Sequence, residues 1–224
     1  MSKIIYSLLF ITQLFAIDTI KLPLAGVKVI DQNQSITIER EVDASCMNLT
    51  MNEESFWGGD FATDIIPKPC KKSFVTTKGV IQPLHLHPDI ETFAELEVLE
   101  FIKLKSSKNP QKYLLVDSRP SSWFEHSTIP SAINVPFNDL VIDKDFKEEY
   151  TQAYAKLGVE IKEGKFDFSH AKEILLFCNG LWCTHSPRAI KTLLKVGYPV
   201  DKIKWYRGGI TSWTSVGLTL IKKQ

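Results

Sequence analysis

Lys172-Glu173-Ile174-Leu175-Leu176-Phe177-Cys178, followed by Asn179-Gly180-Leu181-Trp182-Cys183-Thr184-His185 and then Ser186-Pro187-Arg188, is the stretch that decides the fold. Its apolar run has no polar alternation, as expected of a strand buried on both faces, and it ends in a thiol. After the loop, Ser186 reads as a helix N-cap and Pro187 as the first helical position. The helix is expected to run through Lys195 and to stop at Gly197. Strand, loop and helix in that order form the repeating unit of a parallel sheet. Two further runs fit the same sheet: Tyr113-Leu114-Leu115-Val116-Asp117, and Ile203-Lys204-Trp205-Tyr206 with Arg207-Gly208-Gly209 and a short helix near Thr211 to Val216. The fold class is therefore read as α/β, a parallel sheet with helices on both faces. Ligands of such sheets bind beyond the carboxyl ends of the strands, where Asp117 and Cys178 fall.

Working outward, Asp89 to Lys105 has near-helical apolar spacing, with Asp89 as its expected cap. Asn109-Pro110 breaks the chain. Asp139 to Leu157 predicts another helix, ended by Gly158. Residues 17–88 are irregular, apart from strand-like Val27–Ile30 and Ile36–Ile38 around a polar turn. His85 and His87 would share one face of an extended segment, but no third ligand is marked, so they are read as solvent-facing rather than as a metal site. The expected organisation is a signal peptide at 1–16, a loop-rich N-terminal extension at 17–88 and an α/β domain at 89–224.

Ile4 to Phe15 is an apolar run of roughly 12 residues, whereas a membrane-spanning helix needs about 20. Lys3 precedes it and small Ala16 follows, the pattern of a cleaved secretory signal peptide. Export to a periplasm-type compartment is the expectation. The 224 residues are 44% hydrophobic, enough for a core, and the formal net charge of +1 gives no electrostatic reason to expect nucleic acid or an anionic membrane surface. Four cysteines fall into two pairs by position. A Cys46–Cys70 disulfide would close a loop of about 25 residues and stabilise the core-poor extension by ~3.5 kcal/mol in the chain-entropy view.

Cys178 to Ser186 places a thiol before a helix N-terminus, whose free N–H groups and dipole favour negative charge. That setting lowers a cysteine pKa and suits an anion on sulfur. A buried strand-end cysteine that packs as a small hydrophobe fits the same spacing.

Five segments in order resemble the rhodanese superfamily. Leu114 to Pro120 is similar to its first strand with an Asp-x-Arg signature, here Asp117-Ser118-Arg119, and Ile129-Pro130-Ser131-Ala132-Ile133-Asn134-Val135-Pro136 to its Ile-Pro-Gly-Ala-Ile-Asn-x-Pro segment. Phe177-Cys178 falls on the nucleophile, Gly197-Tyr198-Pro199 on the end of the next helix, and Gly208-Gly209 through Trp213 on the closing Gly-Gly-x-x-x-Trp. The resemblance covers roughly residues 89 to 220. Thr128 and Ser131 replace the usual histidine and glycine. The loop is about two residues longer than the common Cys-x-x-Gly-x-Arg-Ser form and carries a second thiol, Cys183, as in an exported subset of the family.

The resemblance implies a sulfurtransferase with Cys178 as nucleophile and persulfide carrier, fed by a small thiosulfate-like donor and emptied by a thiol acceptor, without metal or organic cofactor. Asp117 and Arg119 would be a structural pair beside the site. Asn179, Gly180, Leu181, Trp182, Thr184, His185 and Arg188 would line the loop, with Arg188 either steering an anion or lying on a solvated face, and His185 either a general base or an ordinary loop histidine. Cys183, five residues from Cys178, would attack a persulfide or sulfenate and leave a disulfide. Thiol–disulfide chemistry by Cys178 and Cys183 is thus an alternative, with a periplasmic redox or sulfur-carrier protein as partner. A non-catalytic binding domain is the third reading. Thr184 occupies the place where a Cys-x5-Arg phosphatase needs arginine, so that reading is set aside.

Overall fold

The computed structural model describes residues 27–31, 34–38, 44–46, 66–70, 79–215 and 218–222. The expected signal peptide at 1–16 and the side chain of Cys46 lie outside the described residues. Val27–Asp31 (β1) and Gln34–Ile38 (β2) form an antiparallel hairpin in which Asp31 pairs with Gln34. The β-branched residues that suggested strands therefore pair with each other.

The main sheet contains Glu91–Phe93 (β3), Tyr113–Asp117 (β4), Ile133–Asn134 (β5), Glu173–Phe177 (β8) and Ile203–Tyr206 (β9). Its order is β3-β9-β8-β4-β5, and every neighbouring pair is parallel. Glu160–Lys162 (β6) and Lys165–Asp167 (β7) form a separate hairpin that the sequence reading did not anticipate.

Side chains alternate across this sheet. Leu114, Val116, Ile174, Leu176, Ile203 and Trp205 belong to one apolar core, which also takes Ala153 and Tyr154 from one helix and Ala189, Ile190 and Leu193 from another. Those helices are Lys147–Lys156 (α3) and His185–Val196 (α4). Leu115, Leu175, Phe177 and Tyr206 belong to the opposite core, with Val98 and Phe101 of Glu95–Phe101 (α1) and Ile210 and Trp213 of Gly209–Ser215 (α5). Burial on both faces explains why β4 and β8 read as unbroken apolar runs. Truncating one of these leucines to alanine would cost roughly 2–5 kcal/mol.

Several boundaries differ from the expectation. Asp89 does not cap a helix. Glu91–Phe93 instead adds an edge strand to β9, helped by a 3.0 Å ion pair between Lys204 and Glu91. Helix α1 starts later, and the Ala94 N–H donates to Glu97 Oε2 at 3.0 Å. The expected 139–157 helix is regular only from Lys147, because Asp143 caps a 3-10 turn before it by accepting from the Asp145 N–H. Ser121–His126 (α2) was also not anticipated. Gly197 ends α4 with φ +91°, as its position suggested. Residues 84–90 form turns rather than a strand, and His87 Nδ1 accepts from the Asp89 N–H at 3.2 Å.

Candidate active site

Cys178 is the first residue after β8, at the carboxyl edge of the sheet. Beside it, Ser118 continues β4, its N–H donating to Phe177 O at 3.0 Å. The loop from Cys178 leads to α4, whose N-cap is Thr184 with no side-chain cap bond. Ser186 is therefore not the cap the sequence suggested. It lies in the first turn, fully buried, near enough to the Cys178 sulfur to lower that thiol, and its hydroxyl has no hydrogen-bond partner of good geometry among the described residues.

Burial pushes the Cys178 thiol up, but donors outweigh it. The thiol of Cys183, the hydroxyl and N–H of Ser186 and the N–H of Gly180 bring Cys178 down to about 7. The Ser186 N–H is one of those a helix N-terminus leaves unpaired, and the Gly180 N–H comes from the loop itself. Cys183 moves the opposite way: burial, the hydrogen bond it donates to Cys178 and the thiolate charge there hold its proton on. Cys178, Trp182 and Cys183 pack together as a small buried cluster, and both cysteines are free thiols.

The loop is held from behind by α5. Ile210 N–H donates to Cys178 O at 3.0 Å, and Thr211 donates to Asn179 O through its N–H at 2.8 Å and its hydroxyl at 2.7 Å. Gly209, at φ +56°, lies so close that a Cβ there would collide with Cys178 O and come within 2.8 Å of Gly180 N. This contact is the physical content of the Gly208-Gly209 pair.

Asp117 and Arg119 form an ion pair of 2.6 Å with both side chains fully buried. Arg119 also donates to Ser127 O at 2.5 Å and reaches Asn179 Oδ1 at 3.5 Å, while Thr128 Oγ1 donates to Asp117 at 2.8 Å. The pair thus ties β4, the 127–128 turn and the residue after Cys178 together. Ser131, in place of glycine, adopts φ +72°.

The remaining loop residues separate. Gly180 is buried, Leu181 exposed and Thr184 half-buried. His185 stacks on Phe137 with ring centroids 4.4 Å apart, and the exposed Arg188 places its guanidinium 4.5 Å from the same ring. Burial, reinforced by the Arg188 and Arg119 charges, lowers His185 to about 4, which leaves it a weak base at neutral pH. Its place against Phe137 is one of packing. A cavity of about 450 Å³ near Val141, Asp143 and Phe146 includes no residue of the loop.

One element was missed entirely. Residues 79–83 cross the loop as a strap: Gln82 N–H donates to Leu181 O at 2.9 Å, and Gly79 is so close to Trp182 that a Cβ would collide with its backbone carbonyl. Arg207 clamps the strap by donating to Gln82 O at 2.7 Å and Pro83 O at 2.9 Å. Only Arg207-Gly-Gly carried any signal for it, and that signal did not name the strap as its target.

Solved structures with similar architecture include a protein of Bacillus halodurans (22% identity, TM-score 0.39, covering 60% of this chain and 77% of that one). A rhodanese-like domain from Anabaena shares 18% identity at a TM-score of 0.38, with 61% of this chain and 80% of that chain covered. A thiosulfate sulfurtransferase from Pseudomonas aeruginosa shares 20% identity at a TM-score of 0.38, and the match spans 60% of this chain but 21% of that enzyme. No curated protein matches the sequence. The family model of the rhodanese-like domain matches residues 98–216, more than half of the chain and all of the sheet except its edge strand β3, and the chain belongs to the rhodanese-like domain family.

Proposed function

We propose that this protein is a sulfurtransferase that carries sulfane sulfur as a persulfide on Cys178. The observation that carries the reading is the position of the Cys178 thiol, at the carboxyl edge of a parallel sheet and ahead of the α4 N-terminus, where neighbouring donors bring it to about 7 despite its burial. The thiolate attacks the outer sulfur of a thiosulfate-like donor, the S–S bond of the donor breaks, and sulfite leaves with its electron pair. The same N–H and hydroxyl donors then face the negative persulfide sulfur, so stabilisation is preorganised and needs no cofactor. Incubation with thiosulfate should release one equivalent of sulfite from the wild type and none from Cys178→Ser. Wild-type protein that gains no sulfur and releases no sulfite would leave the non-catalytic binding domain as the better reading. Thiol–disulfide exchange is favoured by one observation, the packing of Cys183 with Cys178 in one buried cluster.

The proposal extends to location. Export with cleavage after Ala16 is supported by the short apolar run that ends there. A Cys46–Cys70 disulfide is supported by the buried, disulfide-bonded state of Cys70. N-terminal sequencing of the exported protein should begin at Ile17, and peptide mapping without reductant should recover the cross-linked pair. A periplasmic redox or sulfur-carrier protein is the proposed partner.

A further inference from the structure

We infer that the acceptor for the sulfur on Cys178 is built into the loop: Cys183 discharges the persulfide as hydrosulfide, and the disulfide left behind is reset by an external dithiol. The inference rests on the sulfurtransferase reading of Cys178 and goes beyond it by naming the internal acceptor, the product and the class of reductant. Cys178 and Cys183 are both nearly fully buried and pack together with Trp182. The turn closed by the Cys183 N–H to Gly180 O at 2.9 Å folds the loop back and brings the two cysteines into one cluster. The strap at Gly79 and Gln82 packs on the same loop, at Trp182 and Leu181. A persulfide formed there, in a buried cluster, has Cys183 as its neighbouring thiol.

The step balances. Cys183 sulfur attacks Cys178 sulfur, the bond between Cys178 and the sulfane sulfur breaks, and the sulfane sulfur leaves with that electron pair. The anionic persulfide and the Cys183 thiol become a Cys178–Cys183 disulfide and HS⁻, and the Cys183 proton goes to the departing sulfur. The retained proton on Cys183 is thus the one the leaving group requires. The sulfane sulfur is reduced and the two cysteines are oxidised; a dithiol then reduces the disulfide by exchange and closes the cycle. Kinetic competition favours this route. Well-oriented intramolecular groups reach effective molarities of about 10⁵ M or more, against which millimolar external thiol or cyanide is a minor competitor.

The test incubates reduced, desalted protein with thiosulfate alone, then assays sulfite, sulfide, intact mass and the 178–183 peptide. The expected result is one equivalent each of sulfite and sulfide, loss of two hydrogens from the protein, and a Cys178–Cys183 crosslink. Dithiothreitol should then restore turnover. Cys183→Ser should stop halfway, with sulfite released, one sulfur atom retained and no sulfide. Wild-type protein that releases sulfite but keeps its sulfur and makes no sulfide overturns the internal acceptor while leaving the sulfurtransferase reading intact. Absence of sulfite overturns both. The wild-type measurement decides alone if the serine variant does not fold.

Discussion

Ser186→Ala removes one donor from the Cys178 thiolate and leaves the fold's larger contacts in place. A hydrogen bond to a charged group contributes about 1.5–3 kcal/mol, which is about 1–2 pKa units. From its value of about 7, Cys178 should therefore rise to roughly 8–9. At pH 7 the thiolate fraction would fall from about one half to between about 10% and 1%. A more basic thiolate is also a better nucleophile, by about threefold per unit at a Brønsted coefficient of 0.4–0.5. The net loss of rate toward a small disulfide at pH 7 is then only about two- to sixfold. Above pH 10, where both proteins are fully ionised, the variant should react about three- to ninefold faster than the wild type. The two pH–rate curves must cross. Initial rates of thione release from 2,2′-dithiodipyridine between pH 5 and pH 11 give both limbs, and Cys183 contributes little because its proton is held well above the ordinary thiol range. Superimposable curves for wild type and Ser186→Ala would refute the role of this hydroxyl. A uniform slowing at every pH would indicate altered access instead.

Three further outcomes follow from the site's geometry. Arg119→Ala strands the fully buried Asp117 carboxylate and should lower stability by about 3–5 kcal/mol in urea titration, the cost of breaking a buried pair. Gly209→Ala should cost roughly 2–5 kcal/mol, from left-handed backbone and collision with the Cys178 carbonyl. Gly164→Ala, at φ +77° with open space around its Cβ, should cost only about 1–2 kcal/mol; equal losses at the two sites would refute the close approach of α5 to the loop. His185 has a folded pKa of about 4, below its ordinary 6.5, so the unfolded chain binds its proton first as pH falls. Its contribution to stability is fully present above pH 6.5 and is lost as pH falls toward 4; thermal melts should show this slope, and His185→Phe should flatten it.

What the sequence made legible follows the range of the interactions. β4, β8 and β9 announce themselves because burial on both faces requires continuous apolar runs, and Gly197 announces a helix end because left-handed backbone there suits glycine. The position of Cys178 was readable from local order alone: apolar strand, thiol, loop, helix. Glu91–Phe93 was not, since three residues with one half-buried phenylalanine have no strand signature until Lys204 to Tyr206 lie alongside them. The helix reading of Asp89 to Lys105 took an edge strand and a short helix for one element, because their apolar residues continue the same spacing across Ala94.

Ser186 and the strap failed for different reasons. Ser-Pro-Arg before an apolar helix has a local explanation as a cap, and that explanation is wrong because α4 begins at His185. Moving the helix start back turns the serine from an end group into a buried donor aimed at sulfur, so a small shift of boundary changes the residue's chemistry. The strap has no local explanation at all: Gly79, Gln82 and Pro83 meet Trp182, Leu181 and Arg207 only across 99 or more residues of chain. Its position nevertheless bears on the chemistry, because it packs on Trp182, which shares a buried cluster with both sulfurs. If donor entry requires the strap and loop to part, loosening the Arg207 clamp should raise the rate of sulfite release without moving the pH at which Cys178 ionises. Arg207→Gln, read by both assays, separates access from ionisation: a faster release with an unchanged pH midpoint supports the strap as a cover, and an unchanged rate removes it from the mechanism.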